Sequence, residues 1–201
     1  MEESAAADPA GEWDLLSRMM EVHVRFHKNR NGGLRPSADY TAEQFSEDLL
    51  RFVDEADRRG FTLIKMRALY NAGNVLRIFA RDYERAFRCY TILTPMLDGV
   101  SMREFLLRFY VYREIAEFCY SFREYDEAVS YYRRITEDPD AGDSYYRSRA
   151  FAWNGLGLRY RNGYGDLERA DSCFRAILQL PERYAVVWDG IVTDNLGYNS
   201  T

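Results

Sequence analysis

From Val111 to Glu137 the apolar and polar positions alternate as two helices joined by a tight corner. Tyr112, Ile115, Ala116 and Cys119 recur at helical spacing, a Phe-Arg-Glu-Tyr corner comes next, and Ala128, Tyr132 and Ile135 form a second stripe. A lone hairpin of this kind has apolar residues on more faces than it can bury against itself, which predicts further copies stacked on it. Upstream, Trp13, Leu16, Met20, Val24 and His27 predict a helix from Gly11 to about Lys28, closed at Asn31-Gly32-Gly33, where a left-handed cap forms easily. Thr41-Ala-Glu-Gln44 is a capping box. Behind it Phe45, Leu49, Phe52, Val53 and Ala56 share one helix face, and Gly60 ends that helix.

Three hairpins come after it. The first spans about residues 61–97, with Asp82 as the cap of its second helix. The second opens on the capping box Ser101-Met-Arg-Glu104 and ends where Asp138-Pro139-Asp140-Ala141-Gly142 stops a helix. The third covers about residues 144–180, broken at Asn162-Gly163-Tyr164-Gly165, capped by Asp166 and stopped by Pro181. Ala86, Ala128 and Ala170 are 42 residues apart, and Tyr90, Tyr132 and Phe174 keep the step, as do Leu93, Ile135 and Ile177. Small, aromatic and aliphatic positions repeating together mark a repeat architecture: the alanine admits close helix approach while the larger residues fill the groove.

Composition narrows the classes. The 201 residues are 47% apolar and 29% charged, ordinary for a folded globular chain. The formal net charge of -5 provides no long-range attraction for a nucleic-acid backbone, so direct nucleic-acid binding and a repeat-type RNA reader are disfavoured. Aromatic residues make up 15%, with 16 tyrosines, which suits helix packing with the ring buried and the hydroxyl reaching water. Cys89, Cys119 and Cys173 never fall at C-x-x-C spacing, which points away from a zinc site or a disulfide framework and toward a reducing, cytoplasmic setting. No apolar run reaches the ~18 residues of a membrane span, and the first ten residues, small, polar and acidic, read as a disordered lead-in.

Catalytic and ligand-binding motifs are sparse. His23 and His27 stand one helical turn apart without a third ligand, and read as two histidines between core and solvent. The Asp138 to Asp143 run fails as a calcium loop because its glycine comes one place early and Arg149 occupies the twelfth position. Gly155-Leu-Gly157 lacks the third glycine of a dinucleotide fingerprint. No P-loop, G-x-S-x-G or recognisable Cys/His signature is present, so no cofactor, metal or catalytic residue is expected and an enzyme or enzyme accessory is the remote alternative. Asn199-Ser200-Thr201 matches a glycosylation sequon by letters only.

The leading helices carry a resemblance. Leu69-Tyr70-Asn71-Ala72-Gly73 with Ala86, Tyr112-Arg113-Glu114-Ile115-Ala116 with Tyr125 and Ala128, and Trp153-Asn154-Gly155-Leu156-Gly157 with Leu167 and Ala170 resemble the tetratricopeptide repeat family over about residues 61–201, with residues 12–59 as a degenerate first copy. The repeat is longer than the family's ~34 residues, and the first and third hairpins carry one extra residue before the second helix. The resemblance implies an all-α fold of helical hairpins stacked as a right-handed superhelical solenoid, one repeat domain over residues 11–201. It also implies a groove lined by the leading helices: Tyr70, Asn74 and Arg77, then Arg113, Glu117 and Tyr120, then Asn154, Leu158 and Arg161. Asn can bond a peptide backbone, Arg can fork onto a carboxylate, and Tyr adds flat contact area. The competing reading is a solvated helix face with pairs such as Arg113 and Glu117.

The expected function is therefore non-enzymatic protein or peptide binding. The alternative, also by resemblance, is the sensory or dimerisation region of a bacterial transcriptional regulator of the kind that joins such repeats to a helix-turn-helix domain absent from these residues. Past Pro181, Trp188, Ile191, Val192, Asn195, Leu196 and Gly197 begin another leading helix, a partial repeat at 184–201, which leads us to expect a fragment of a longer chain. Trp188, Ile191 and Leu196 are expected to pack back on the helix of Phe174 and Ile177 or to pair with a second copy of the chain.

Overall fold

The structure, a computed structural model, describes residues 8–27, 39–101, 103–138 and 145–199, with the side chains of residues 183 and 184 left aside. Residues 1–7, the Asn31-Gly32-Gly33 stop, most of the aspartate-rich run at 138–143, and residues 200 and 201 of the sequon lie outside that set. All regular elements among the described residues are helical, and helices adjacent in sequence pack on one another within two compact units, residues 1–105 and 106–201.

The first unit holds α1 (Pro9–His27), α2 (Ala42–Arg59), α3 (Thr62–Val75) and α4 (Tyr83–Leu97). The capping box of α2 forms as expected: the Gln44 amide donates to Thr41 Oγ1 at 3.2 Å while the Thr41 amide donates to Gln44 Oε1 at 2.9 Å. Gly60, at φ 73°, ends the helix in the left-handed region that favours glycine. Phe45, Leu49, Phe52 and Ala56 are buried along one face, with Val53 half-buried beside them.

Helix α1 departs from expectation twice. It opens at Pro9, inside the stretch read as a disordered lead-in, with the Gly11 amide donating to Asp8 Oδ1 at 2.9 Å. The stripe that marks it as helical is also not the one it buries: Leu15, Met19 and Phe26 face the core, whereas Trp13 is 71% and Val24 62% exposed. The helix is apolar on two faces, and periodicity alone does not say which one meets α2.

The second unit holds α5 (Arg108–Ser121), α6 (Tyr125–Thr136), α7 (Tyr146–Arg159), α8 (Leu167–Leu178), the short α9 (Glu182–Ala185) and α10 (Asp189–Asn199). Ahead of it, the box at Ser101 and Glu104 closes, with the Ser101 amide donating to Glu104 Oε2 at 2.7 Å and the Glu104 amide donating to Ser101 Oγ at 3.3 Å. It does not open the helix expected there. Residues 103–107 run as turns, and α5 begins at Arg108.

The 42-residue step recurs in the backbone of the three hairpins. Arg81 (φ 57°), Arg123 (φ 65°) and Gly165 (φ 68°) each take the left-handed conformation at the corner, and Asp82, Glu124 and Asp166 come directly after them. Asp82 and Asp166 cap α4 and α8 by accepting from the Arg85 and Arg169 amides, at 3.0 and 2.9 Å. The corner amides of Asp82, Glu124 and Asp166 close onto the carbonyls of Leu76, Cys119 and Tyr160 at 2.8–2.9 Å. The extra residue of the first and third hairpins is absorbed by single π-helical stretches, Leu76–Ala80 and Tyr160–Tyr164, and the second hairpin has none. Widening one turn takes up an inserted residue without rotating the next helix out of phase. Hence Ala86, Ala128 and Ala170 all remain fully buried.

The aromatic step explains the glycines of the leading helices. A Cβ on Gly157 would stand 2.4 Å from the Phe174 ring, and one on Gly155 would stand 2.5 Å from the Tyr132 ring. Both helices come closer than any side chain on those residues would permit. After Pro181, α10 packs along α8, Val192 is fully buried, and Trp188 stands edge-on to Phe151 of α7 with centroids 4.8 Å apart. Ile191, expected to be covered with them, is 47% exposed.

Candidate functional site

The leading-helix residues singled out by resemblance fall in both units. In the first, Tyr70, Asn74 and Arg77 are half-buried on α3 and the π stretch that continues it. Asn74 Oδ1 accepts from the Tyr90 hydroxyl of α4 at 3.0 Å, so its amide is partly committed to the hairpin itself.

In the second unit the face of α5 and α7 is a lattice of cations and rings. Glu117 does not pair with Arg113 one turn away. It accepts instead from the Tyr132 hydroxyl of α6 and from Arg159 of α7, the latter at 2.6 Å. The Arg159 guanidinium lies 3.7 Å from the centroid of the Tyr120 ring, a desolvated cation–π contact, and its side chain is only 8% exposed. Burial, with Glu117 beside it, pushes the Tyr132 phenol above its usual range, so it stays a hydrogen-bond donor. Arg113 turns to the buried Glu114 at 2.8 Å and sits 5.2 Å over the Tyr110 ring.

The next step along α7 is bridged by the partial repeat. Asn195 of α10 donates to Asn154 Oδ1 at 3.1 Å and accepts from Arg161 at 3.2 Å, while Arg161 lies 4.7 Å over the Tyr198 ring. Leu158, half-buried, takes the position that Asn74 and Glu117 hold in the other hairpins. There the facing ring is Phe174, which has no hydroxyl to satisfy. Tyr90 with Asn74, Tyr132 with Glu117, and Phe174 opposite Leu158 are one position solved twice with a polar pair and once without.

A second concavity of this unit lies over α6. It is a cleft of about 510 Å³ whose floor includes Val129 and Tyr160 and whose walls carry Ser130, Arg133, Arg134 and Arg169. Arg133 donates to the Tyr160 hydroxyl at 3.0 Å, and Arg169 lies 5.6 Å from the same ring. A third cleft of about 450 Å³, almost wholly apolar, is lined by Arg147, Phe151, Val187, Trp188 and Ile191.

No family model, curated protein or solved structure matches this chain.

The remaining chemistry-bearing groups sit in packing roles. The rings of His23 and His27 lie tilted to one another with centroids 5.1 Å apart, and both stand edge-on to Phe45. Burial, reinforced by the charges of His27 and Arg67, pulls His23 down to about 4, so it is neutral at physiological pH. Among the described residues no three His, Cys, Asp or Glu side chains gather as a metal site. Burial pushes the Cys89 and Cys173 thiols up to about 11 and raises that of Cys119, and all three are free and buried. Protonated thiols are poor nucleophiles. Among the described residues no helix is long and apolar enough to cross a membrane.

Arg159 is the residue that sequence reasoning passed over. Its signal was present in the repeat register: it stands where Val75 and Phe118 are buried in the other hairpins. A charge at an apolar repeat position must bring a partner with it.

Proposed function

We propose that the chain is a non-enzymatic protein- or peptide-binding module of tetratricopeptide-like helical hairpins, engaging its ligand along the leading helices. The observation that carries this reading is the repeat written into the backbone: the left-handed corner, its amide closure, the buried alanine and the facing ring recur in all three hairpins at a 42-residue step. A repeat so maintained presents equivalent positions side by side. On α5, α7 and the π stretch that continues α7 these positions are Arg113, Tyr120, Asn154, Leu158 and Arg161, each half-buried and partly open to solvent. Partial burial holds such side chains in one geometry, which lowers the entropy lost when a ligand is gripped.

Selection of a displayed peptide library on the purified chain tests this. The reading expects recovered peptides whose binding is lost on Arg113→Ala and Tyr120→Ala with the helical circular dichroism unchanged. Peptides indifferent to both substitutions would count against it.

The alternative, a sensory or dimerisation region of a larger regulator, draws on the apolar cleft beside α10, where Val186 is 66% and Val187 75% exposed. Exposed apolar clusters of this kind mark association surfaces. Light scattering that reports a dimer for the native chain and a monomer for Val187→Asp would favour this alternative.

A further inference from the structure

The cleft over α6 shares no lining residue with the leading-helix positions and has its own chemistry. Its lining residues on α6 and at its C-terminal cap run from Asp126 to Glu137 on one stripe, about 16 Å at 1.5 Å per residue. The two carboxylates stand at the ends. Between them the polar groups are all hydrogen-bond donors or hydroxyls: Ser130, Arg133, Arg134, Arg169 and Tyr160. That concentration of guanidinium groups occurs in a chain whose net charge is -5.

Three details separate this cleft from an ordinary solvated helix face. First, Arg133 is held by a phenol rather than a carboxylate: among the described residues no acidic group lies within ion-pair distance of it, and its contacts are the Tyr160 hydroxyl and the neighbourhood of the buried Cys173. Its charge is positioned without being neutralised. Second, the corner closure does not use the Tyr160 hydroxyl: the same position is Leu76 in the first hairpin and Cys119 in the second, and all three give a backbone carbonyl to it. Having accepted from Arg133, that hydroxyl keeps a proton to donate. Third, Asp126 at one end is engaged by the Tyr164 hydroxyl and Glu137 stands at the other end, whereas Arg169, beside the Tyr160 ring, has as its ion pair an exposed one with Asp166 at 3.3 Å.

We propose that this cleft is an oxyanion site that takes a phosphomonoester. A carboxylate offers two oxygens in one plane. A phosphoryl dianion has three terminal oxygens to share between Arg133, Arg169 and the hydroxyls of Ser130 and Tyr160. The volume accommodates a small phosphorylated molecule or one phosphorylated peptide side chain. The site does not depend on whether the leading helices hold a ligand.

Isothermal titration of the full chain with inorganic phosphate and with phenyl phosphate tests it. Saturable binding is expected, weakened about tenfold by Arg133→Gln and by Arg169→Gln, as loss of one charge-assisted fork implies. Arg88→Gln, on the exposed face of α4, should leave the affinity unchanged. Tyr160→Phe, which keeps the ring in the corner, should weaken phosphate by a smaller factor, so the result does not hang on an arginine variant that fails to fold. A phosphoserine peptide that binds more tightly than inorganic phosphate assigns the site to a peptide; equal affinity assigns it to a small phosphate. Absence of saturable phosphate binding, glutarate binding as tightly as phosphate, or equal losses in Arg88→Gln and Arg133→Gln would overturn the proposal.

Discussion

The two units solve helix packing with different materials. Where α1 meets α2, the contact is a knot of rings: Phe26 stacks on Phe45 at 4.4 Å between centroids, Phe79 and His27 stand edge-on to Phe26, and Tyr40 closes one side. Where α5 meets α7, a guanidinium, a carboxylate and two tyrosines interlock through Arg159, Glu117, Tyr120 and Tyr132. The ring knot tolerates changes in hydrogen-bonding partners but loses heavily when volume is removed. The lattice keeps its volume yet depends on every polar group finding its partner. The same helical period thus hides two kinds of interface with different sensitivities.

Removing volume should mark the knot most strongly. Phe26→Ala, at a fully buried position, should cost about 3–5 kcal/mol in chemical denaturation. A loss under about 1 kcal/mol would mean that α1 contributes little to its unit. In the lattice, Arg159→Ala should cost about 2 kcal/mol, less than a wholly buried pair because Glu117 is half-exposed and can return to water. Arg159→Met, which keeps the stem, should recover part of that loss, and failure to recover any would place the whole effect in the charge.

Acid separates the interfaces next. The folded His23 titrates at about 4 against an ordinary 6.5, so unfolding takes up a proton in that window. Stability is therefore full above pH 6.5 and falls as the pH drops toward 4. Allowing for the exposed part of the ring, the loss is about 1–2 kcal/mol. His23→Gln should flatten most of that slope in acid denaturation, whereas Arg159→Ala should leave it intact. The smallest effect is expected at the polar pair of the first hairpin. Tyr90→Phe reproduces the Phe174 solution and should cost about 1 kcal/mol by losing the bond to Asn74, and a gain in stability would show that the pair is a burden.

Much of the helical framework was legible because its signals are local. The Thr41 box, the Asp82 and Asp166 caps and the Gly60 stop depend on residues within one turn of the helix end, and each forms as read. The period survived for a related reason: an inserted residue in the first and third hairpins was taken up by a π stretch before it could disturb the second helices. The failures share a cause. Trp13 and Val24 mark α1 as helical as well as Leu15 and Phe26 do, and only the position of α2 decides which stripe is covered. Ser101 and Glu104 close a capping box that is locally satisfied but leads into turns.

The candidate site divides along the same line. Glu117 and Tyr120 were named through the resemblance to the repeat family, but their partner Arg159 lies 42 residues beyond Glu117, on another helix. Asn154 and Arg161 were named as open groove positions, and Asn195 of α10 spans them. The α6 cleft was not anticipated, because its donors come from α6, the π stretch after α7 and the start of α8.

Alone, the sequence determined that the chain is helical, where most helices start and stop, and which positions repeat. Caps, periodicity and the 42-residue step are properties of neighbouring residues and their backbone. The tertiary structure decided which apolar stripe is core, which arginine is buried and which charges remain unneutralised. These depend on what lies across an interface, and a side chain's surroundings there are fixed by packing between helices distant in the chain.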